Sequence, residues 1–339
     1  MFNPAQKILR DPKAESFIRQ NNFAETAKYL LHSQLNSWSL LRKNYDALNF
    51  AQVKSFRFDG FKINVQFNPE RITSTAAKVD DESVANRKCF LCAENLPEDQ
   101  KGILLPEKFI LLCNPYPIFP QHFTVSSLRH EPQRIDYSFK ELLELTKLLS
   151  PDFSLVYNGP ACGASAPDHL HFQAGTKLFM PIENDIQQLK NDYGIILKAD
   201  DKINISTIND GLRRLIFIES NEKSKVVRAF NEILTVYKNF SANTVEPMMN
   251  IICSYDMEFG WNIIIFLRSK HRPECFYNED PEKVMVSPAA IDLGGILITP
   301  REEDFVKIDK DFIRKILSEV SLNVEYFSLL TEKLREKFD

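Results

Sequence analysis

An α+β fold is what this chain of 339 residues predicts, on three observations. Apolar side chains recur at helical spacing through the first 50 residues, and apolar and polar residues alternate from Phe56 to Phe67. Beyond residue 108, short apolar runs of strand length are interleaved with amphipathic helical segments in both halves. Composition permits such a fold: 44% apolar and 26% charged residues argue against a largely disordered chain. The 42 Lys and Arg against 46 acids leave a net charge of −4, which gives no bulk attraction to nucleic acid or an acidic membrane surface. The amino terminus carries no apolar leader, and the apolar run around Ile263 to Leu267 is far too short to span a bilayer. A soluble, cytoplasmic protein is expected, with neither nucleic acid nor membrane as partner.

The elements follow in order. Phe23, Ala27, Leu30, Leu31, Leu35, Trp38, Leu41 and Tyr45 make one apolar helical face. Asp59-Gly60, between alternating runs, signals a hairpin. Residues 69–108 read as a polar loop long enough to need a metal or ligand. Strands are expected over 109–113 and 123–126, a helix over 137–149 and a strand over 153–157. A small-residue loop, 158–165, then leads into a strand over 169–174. The second half predicts a helix near 223–237, strands over 249–254, 261–267 and 295–298, and closing helices from Glu302. Trp38 and Trp261 are expected in the core. The two halves admit a duplicated α+β unit, although no internal identity proves one.

Of the six cysteines, only Cys89 and Cys92 are close, as Cys-Phe-Leu-Cys. Without a leader they do not read as a disulfide framework. The pair reads as metal, redox or chance, and redox use is disfavoured because no strand leads into it. Zinc takes four ligands, commonly two Cys and two His; the remaining pair would come from His122, His130, His169 or His171.

The richest stretch is YNGPACGASAPDHLHFQ, from Tyr157 to Gln173. His169, His171 and Gln173 alternate, so on a strand they share one face, with Leu170 and Phe172 opposite. Gly159, Gly163, Ala164 and Ser165 let a ligand approach the backbone, whose free N–H groups suit phosphate. The bland alternative is a His-x-His pair that faces solvent or binds a metal. A histidine that holds zinc cannot also attack, so one of the pair would bind metal while the other does chemistry. Arg71, Lys78 and Lys177 are weaker phosphate candidates, since such side chains are ordinarily just solvated. Arg268, Lys270, His271 and Arg272 read better as a charged strand end than as a polyphosphate site. Gly294-Gly295 lacks the spacing of a dinucleotide-binding loop.

KCFLCAEN, followed by Asn…Gly…Ser…His-x-His-x-Gln, resembles the galactose-1-phosphate uridylyltransferases of the histidine-triad superfamily. NPYPIFPQHFTVSSLRHEPQ and YNGPACGASAPDHLHFQ are also similar to the diadenosine tetraphosphate phosphorylases, and HLHFQA and SPAAIDLGGILITPREEDF to the GDP-hexose phosphorylases. The specific motifs fall within residues 56–180, with short islands beyond. The resemblance implies a mainly antiparallel sheet flanked by helices, in two related halves: a catalytic one with a zinc site over 1–200 and a degenerate one over 201–339.

It further implies His171 as the nucleophile, attacking an α-phosphorus to form a nucleotidyl-histidine. Gln173 would bind a phosphate oxygen and favour transfer to a phosphate acceptor over hydrolysis. Asn158, Gly163 and Ser165 match the phosphate loop, His122 and Arg71 fall near substrate, and Cys89, Cys92, His130 and His169 match structural zinc ligands. One departure is that Ala166, Pro167 and Asp168 separate Ser165 from His169, where relatives have two residues. The implied activity is nucleotidyl transfer from a UDP- or GDP-hexose to a sugar 1-phosphate or inorganic phosphate. Diadenosine tetraphosphate phosphorolysis is the runner-up; a silent nucleotide binder and a zinc hydrolase are the rivals. A homodimer is admitted.

Overall fold

The computed structural model describes residues 4–76, 79–240 and 245–338. Three helices come first: α1 (Pro12–Arg19), α2 (Phe23–Ser37) and α3 (Ser39–Leu48). The Asp11 and Asn22 side chains cap the first two by accepting from the Lys13 and Glu25 N–H groups. The hairpin forms as β1 (Gln52–Arg57) and β2 (Lys62–Phe67), with Gly60 at φ +77° in its turn. The polar stretch holds the short helices α4 (Ile72–Thr75) and α5 (Asp81–Ala85); Lys78 lies outside the described residues.

The expected loop over 69–108 also holds a strand, β3 (Gly102–Leu105), whose short apolar run pairs with β4 (Phe109–Cys113); β5 (His122–Ser127), α6 (Ile135–Leu148), β6 (Phe153–Asn158) and β7 (His171–Thr176) follow. After α7 (Pro181–Tyr193) come β8 (Gly194–Ala199), β9 (Asn204–Asn209), β10 (Arg214–Ser220), α8 (Lys223–Lys238), β11 (Met249–Asp256) and β12 (Gly260–Leu267). The chain ends with α9 (Ala290–Leu293), β13 (Ile296–Thr299), α10 (Glu302–Lys307), α11 (Lys310–Val320) and α12 (Val324–Phe338). Among the described residues no helix is long and apolar enough to cross a membrane.

Ten strands form one antiparallel sheet in the order β3-β4-β5-β7-β6-β11-β12-β10-β9-β8. Its two halves have the same topology. The first runs strand, strand, strand, helix, strand, strand (β3, β4, β5, α6, β6, β7), and the second repeats this as β8, β9, β10, α8, β11, β12. The units meet where the equivalent strands β6 and β11 pair, from Leu155↔Cys253 to Asn158↔Asn250. The helices α6 and α8 cover the same face, with Phe139 stacked on Phe230 at 3.7 Å between ring centroids. Trp261, buried, donates its indole N–H to the Leu143 carbonyl, and Trp38 is buried on the same side.

The other face carries more than helices. The three-stranded sheet β1-β2-β13, with β13 parallel to β2, packs there beside α7, α9 and α11, joining Ile63, Val65, Ile186 and Leu297 to Val156 and Ile252 of the large sheet. The expected strand over 169–174 begins only at His171; His169 lies in the bend before it.

Candidate functional site

Ser126 faces His171 across the β5·β7 ladder, and Gln173 lies opposite Thr124 on one side and Val156 on the other. Because strand side chains alternate, Phe172 and Ala174 enter the core beneath α6, while His171 and Gln173 emerge on the opposite face, ~7 Å apart along the strand. Pairing between β6 and β7 stops at Val156↔Gln173, leaving polar backbone groups to be satisfied beyond it. Gln133 takes that task. Its Oε1 accepts from the His171 N–H at 2.8 Å, and its Nε2 donates to the His171 and Asn158 carbonyls at 3.0 and 2.9 Å.

The His171 ring has a defined tautomer. Its Nδ1 lies 2.8 Å from the His169 carbonyl, which only accepts, so Nδ1 carries the proton and Nε2 the lone pair. Nε2 has no hydrogen-bond partner among the described residues. Burial pushes the imidazole pKa down to about 4, keeping it neutral.

The same logic orients Gln173. The Ile118 N–H donates to His122 Nδ1 at 3.1 Å, so His122 Nε2 must carry the ring proton. It donates that proton to Gln173 Oε1 at 2.8 Å, which turns the glutamine amide N–H groups outward. Burial, reinforced by Arg71 nearby, lowers the His122 pKa to about 3, so this donation persists through neutral pH.

Asn158 is set by the second unit. Its Oδ1 accepts from Asn250 Nδ2 and the Ala290 N–H, both at 2.9 Å, leaving its own amide N–H groups free. Arg268 is buried and anchors Asn250 from behind, also donating to the Pro288 carbonyl. Gly163 sits at φ +107°, where a Cβ would approach the Ala289 Cβ to 2.6 Å. Asp292 holds the facing segment by accepting from the Ala289 and Ile298 N–H groups, and burial raises its pKa to about 6.

Arg71, Asn158, Gly163, Ser165 and Gln173 line one narrow cleft. His122 stands behind Gln173. Arg71 donates to the Tyr116 carbonyl at 2.7 Å, but its Nε is buried without a hydrogen-bond partner; among the described residues no carboxylate forms a direct ion pair with it, although the charge of Asp292 acts on it from the same cleft. Lys177 is elsewhere, bonded to the Tyr255 carbonyl. The basic run divides: Lys270 pairs with Glu274 and Glu319, whereas His271 and Arg272 line the cleft, against the preference for a charged strand end.

Beside His171, the ligand atoms of Cys89, Cys92, His130 and His169 all lie within 4.8 Å of one another. Sulfur to Nδ1 distances are 3.3 Å for Cys89–His169, 3.3 Å for Cys92–His130 and 3.6 Å for Cys92–His169. A tetrahedral zinc with bonds of ~2.3 Å to sulfur and ~2.0 Å to nitrogen has such an edge at ~3.5 Å. His169 Nε2 donates to the Ser127 carbonyl at 2.8 Å, which leaves its Nδ1 lone pair facing the thiols. The Asn95 amide donates to the Cys89 carbonyl, and Asp168, beside His169, pairs with Arg87 at 2.8 Å. This group could hold a metal ion.

Gln133, Asn250, Ala289 and Asp292 escaped the sequence reading. Gln133 and Asn250 carry no periodic signal, and their partners are brought near only by long-range pairing.

Two family models match the chain: the domain of unknown function DUF4922 over residues 30–176 and the GDPGP1-like C-terminal domain over residues 188–339. The chain is 26% identical over 245 residues to a galactose-1-phosphate uridylyltransferase of Clostridium acetobutylicum, covering 67% of this chain and 48% of the relative. It is 25% identical over 320 residues to GDP-L-galactose phosphorylase 2 of Arabidopsis thaliana, covering 88% of this chain and 66% of the relative. It thus spans about half the length of the first relative and just under two thirds of the second. Among solved structures, yeast Ap4A phosphorylase Apa2 in complex with AMP shares the fold at a TM-score of 0.58 and 14% identity, over 87% of this chain and 96% of that one. The same enzyme with Ap4A gives a TM-score of 0.57 at 14% identity, over 87% and 97% of the two chains.

Proposed function

We propose that this chain is a nucleotidyltransferase of the histidine-triad-like superfamily, a reading its family-model matches and relatives support, and that it transfers a nucleotidyl group from a UDP- or GDP-hexose to a phosphate acceptor through His171. The observation that carries the reading is the imidazole itself: Nδ1 is committed to the His169 carbonyl and Nε2 is unpartnered beside a glutamine whose amide N–H groups point outward. Nε2 attacks the α-phosphorus; the N–P bond forms as the bond to the departing hexose phosphate breaks. The acceptor phosphate oxygen then attacks the same phosphorus and releases the imidazole. Charge on the non-bridging oxygens is met by the Gln173 and Asn158 amides, the Ser165 hydroxyl and the loop N–H groups around Gly163.

Cys89, Cys92, His130 and His169 would hold zinc, whose contribution is to fix the bend ahead of β7. Four donors converge there, leaving no open position of the kind a zinc hydrolase needs. The likeness of NPYPIFPQHF to the dinucleotide phosphorylases supports a second donor class, diadenosine tetraphosphate, which the same chemistry would serve.

Intact mass spectrometry after brief incubation with UDP-glucose, GDP-glucose or diadenosine tetraphosphate, without acceptor and with an alkaline quench, tests the reading. A UMP, GMP or AMP adduct that disappears in His171→Ala supports it and identifies the base. Folded protein that binds nucleotide yet gives no adduct with any donor overturns it in favour of a silent binder. Native spectra of the unquenched protein should carry one zinc per chain; chains without zinc would refute the metal assignment.

A further inference from the structure

The second unit has no histidine on β12, the counterpart of β7, yet it has a cleft on the same face of the sheet. This cavity of about 630 Å³ falls within the ~300–1,000 Å³ of small-molecule sites. It lies at the other end of β7 from His171: Lys177 and Leu178, on its wall, directly follow the strand, ~17 Å along it from the imidazole. Its floor is one cross-strand row. Asn204 on β9 pairs with Glu219 on β10, Glu219 with Asn262 on β12, and Asn262 with Ser254 on β11. Directly opposed residues point to the same face, so four polar side chains stand abreast, spanning ~14 Å across the strands. Trp261 and Ile263 point the other way, into the core beneath the helices.

The row divides into engaged and unengaged groups. Glu219 is fully engaged: Oε1 accepts from Gln187 Nε2 at 2.6 Å and Oε2 from Lys190 Nζ at 2.5 Å. Asn204, Asn262 and Ser254 are half-buried, and among the described residues their side chains have no hydrogen-bond partner. Each can both donate and accept, as a sugar hydroxyl does. The charges around them disfavour a phosphate. Among the described residues no arginine lines this cavity; Lys177 donates to the Tyr255 carbonyl and Lys202 pairs with Glu222. Nor do the inner acids offer free carboxylates to a cation. Glu183 is held by Ser154 and the Met180 N–H, and Asp256 by Lys177 and the Glu258 and Phe259 N–H groups. Beside the row, Ile252 and Ile264 offer apolar contact, and Phe259, 67% exposed, stands on the rim as a ring for the C–H face of a pyranose. We propose that this cleft is a second binding site, for a neutral saccharide whose hydroxyls meet Asn204, Asn262 and Ser254. The site is independent of the chemistry at His171 and goes beyond it: the second unit has the pocket without the reactive imidazole.

Saturation-transfer NMR titrations of the full chain with glucose, galactose, mannose and maltose test this. At least one sugar should bind, with an affinity that Asn262→Leu and Asn204→Leu, on different strands, each weaken roughly tenfold or more. Phe259→Ala, at an exposed position that leaves the sheet intact, should weaken the same sugar several-fold. His171→Ala should leave that binding unchanged, and Asn262→Leu should still form the nucleotidyl adduct wherever the wild type does. Failure of all these sugars to bind folded wild-type protein overturns the site. So does binding that added UDP or GDP displaces while Asn262→Leu and Phe259→Ala leave it intact, which would put the sugar in the first cleft. Spermidine that binds where no sugar does, and is lost in Asn262→Leu, would overturn it in favour of a cation site. Sugar binding with the expected variant pattern in a wild type that never loads would sink the nucleotidyl-histidine reading and leave the saccharide site standing.

Discussion

At the scale of single residues, the chemistry of this site is set by where protons are forced to reside. Two carbonyls and one backbone N–H fix the tautomers of three histidines: His171 through the His169 carbonyl, His169 through Ser127 and His122 through Ile118. The alternation of His171 and Gln173 was legible because a two-residue period needs only local sequence. Gln133 was not, because its value lies in bridging strands that separate beyond Val156. Replacing Gln133 by Leu strands one N–H and two carbonyls, and should cost about 2–4 kcal/mol of unfolding free energy in urea titrations. Gln133→Glu keeps the acceptor for the His171 N–H but loses both donations, so it should fall well below wild type. If Glu matched wild type, the two donations would be shown to contribute nothing.

Among elements, two kinds of local signal were read. The amino-terminal helices and the β1–β2 hairpin show their periods because only one face is covered, and β4, β5, β6 and β12, buried along nearly their whole length, show as apolar runs. The missed β10 is buried in the same way, with its own apolar run from Leu215 to Ile218, so burial alone does not separate it from them. On the edge strand β8, a bulge between Ile196 and Lys198 breaks the period. The signal for α7 was present in Pro181 at its first turn and Glu183, whose carboxylate accepts from the Met180 N–H. The loop between β6 and β7 was legible in composition, but its partner wall was not. Gly163 needs both a positive φ and the absence of a Cβ against Ala289. Gly163→Ala should therefore lower stability by about 2 kcal/mol or more. Adding Ala289→Gly should return only the steric part, because the backbone strain remains. Full recovery in the double variant by thermal unfolding would count against the φ argument.

For the whole molecule, duplication was only admissible from sequence, since it resides in strand order and in a ladder between residues about a hundred positions apart. Glu246, just before β11, ties the units on the helical face by accepting from the Ile135 N–H at the start of α6 and from the Tyr157 hydroxyl on β6, both at 2.7 Å. Burial raises its pKa from 4.5 to about 7, with Asp136 adding to the rise and Arg134 opposing it. The folded state thus keeps a proton that the unfolded chain releases from about pH 4.5 upward. Stability from this group is complete below that pH, declines as pH rises and is lost by about pH 7, a change on the order of 3 kcal/mol. Glu246→Gln should flatten that decline, gaining on wild type between pH 5 and pH 8 in denaturant titrations; parallel curves would disprove the assignment. The continuous ladder has a kinetic corollary. Opening one unit against the other like a clamshell would break the β6·β11 hydrogen bonds, so admission and release cannot be hinged there. Any gating step that limits turnover should belong to the connections walling the cleft, on loop timescales, and the two units should protect their seam amides from hydrogen exchange as one cooperative body.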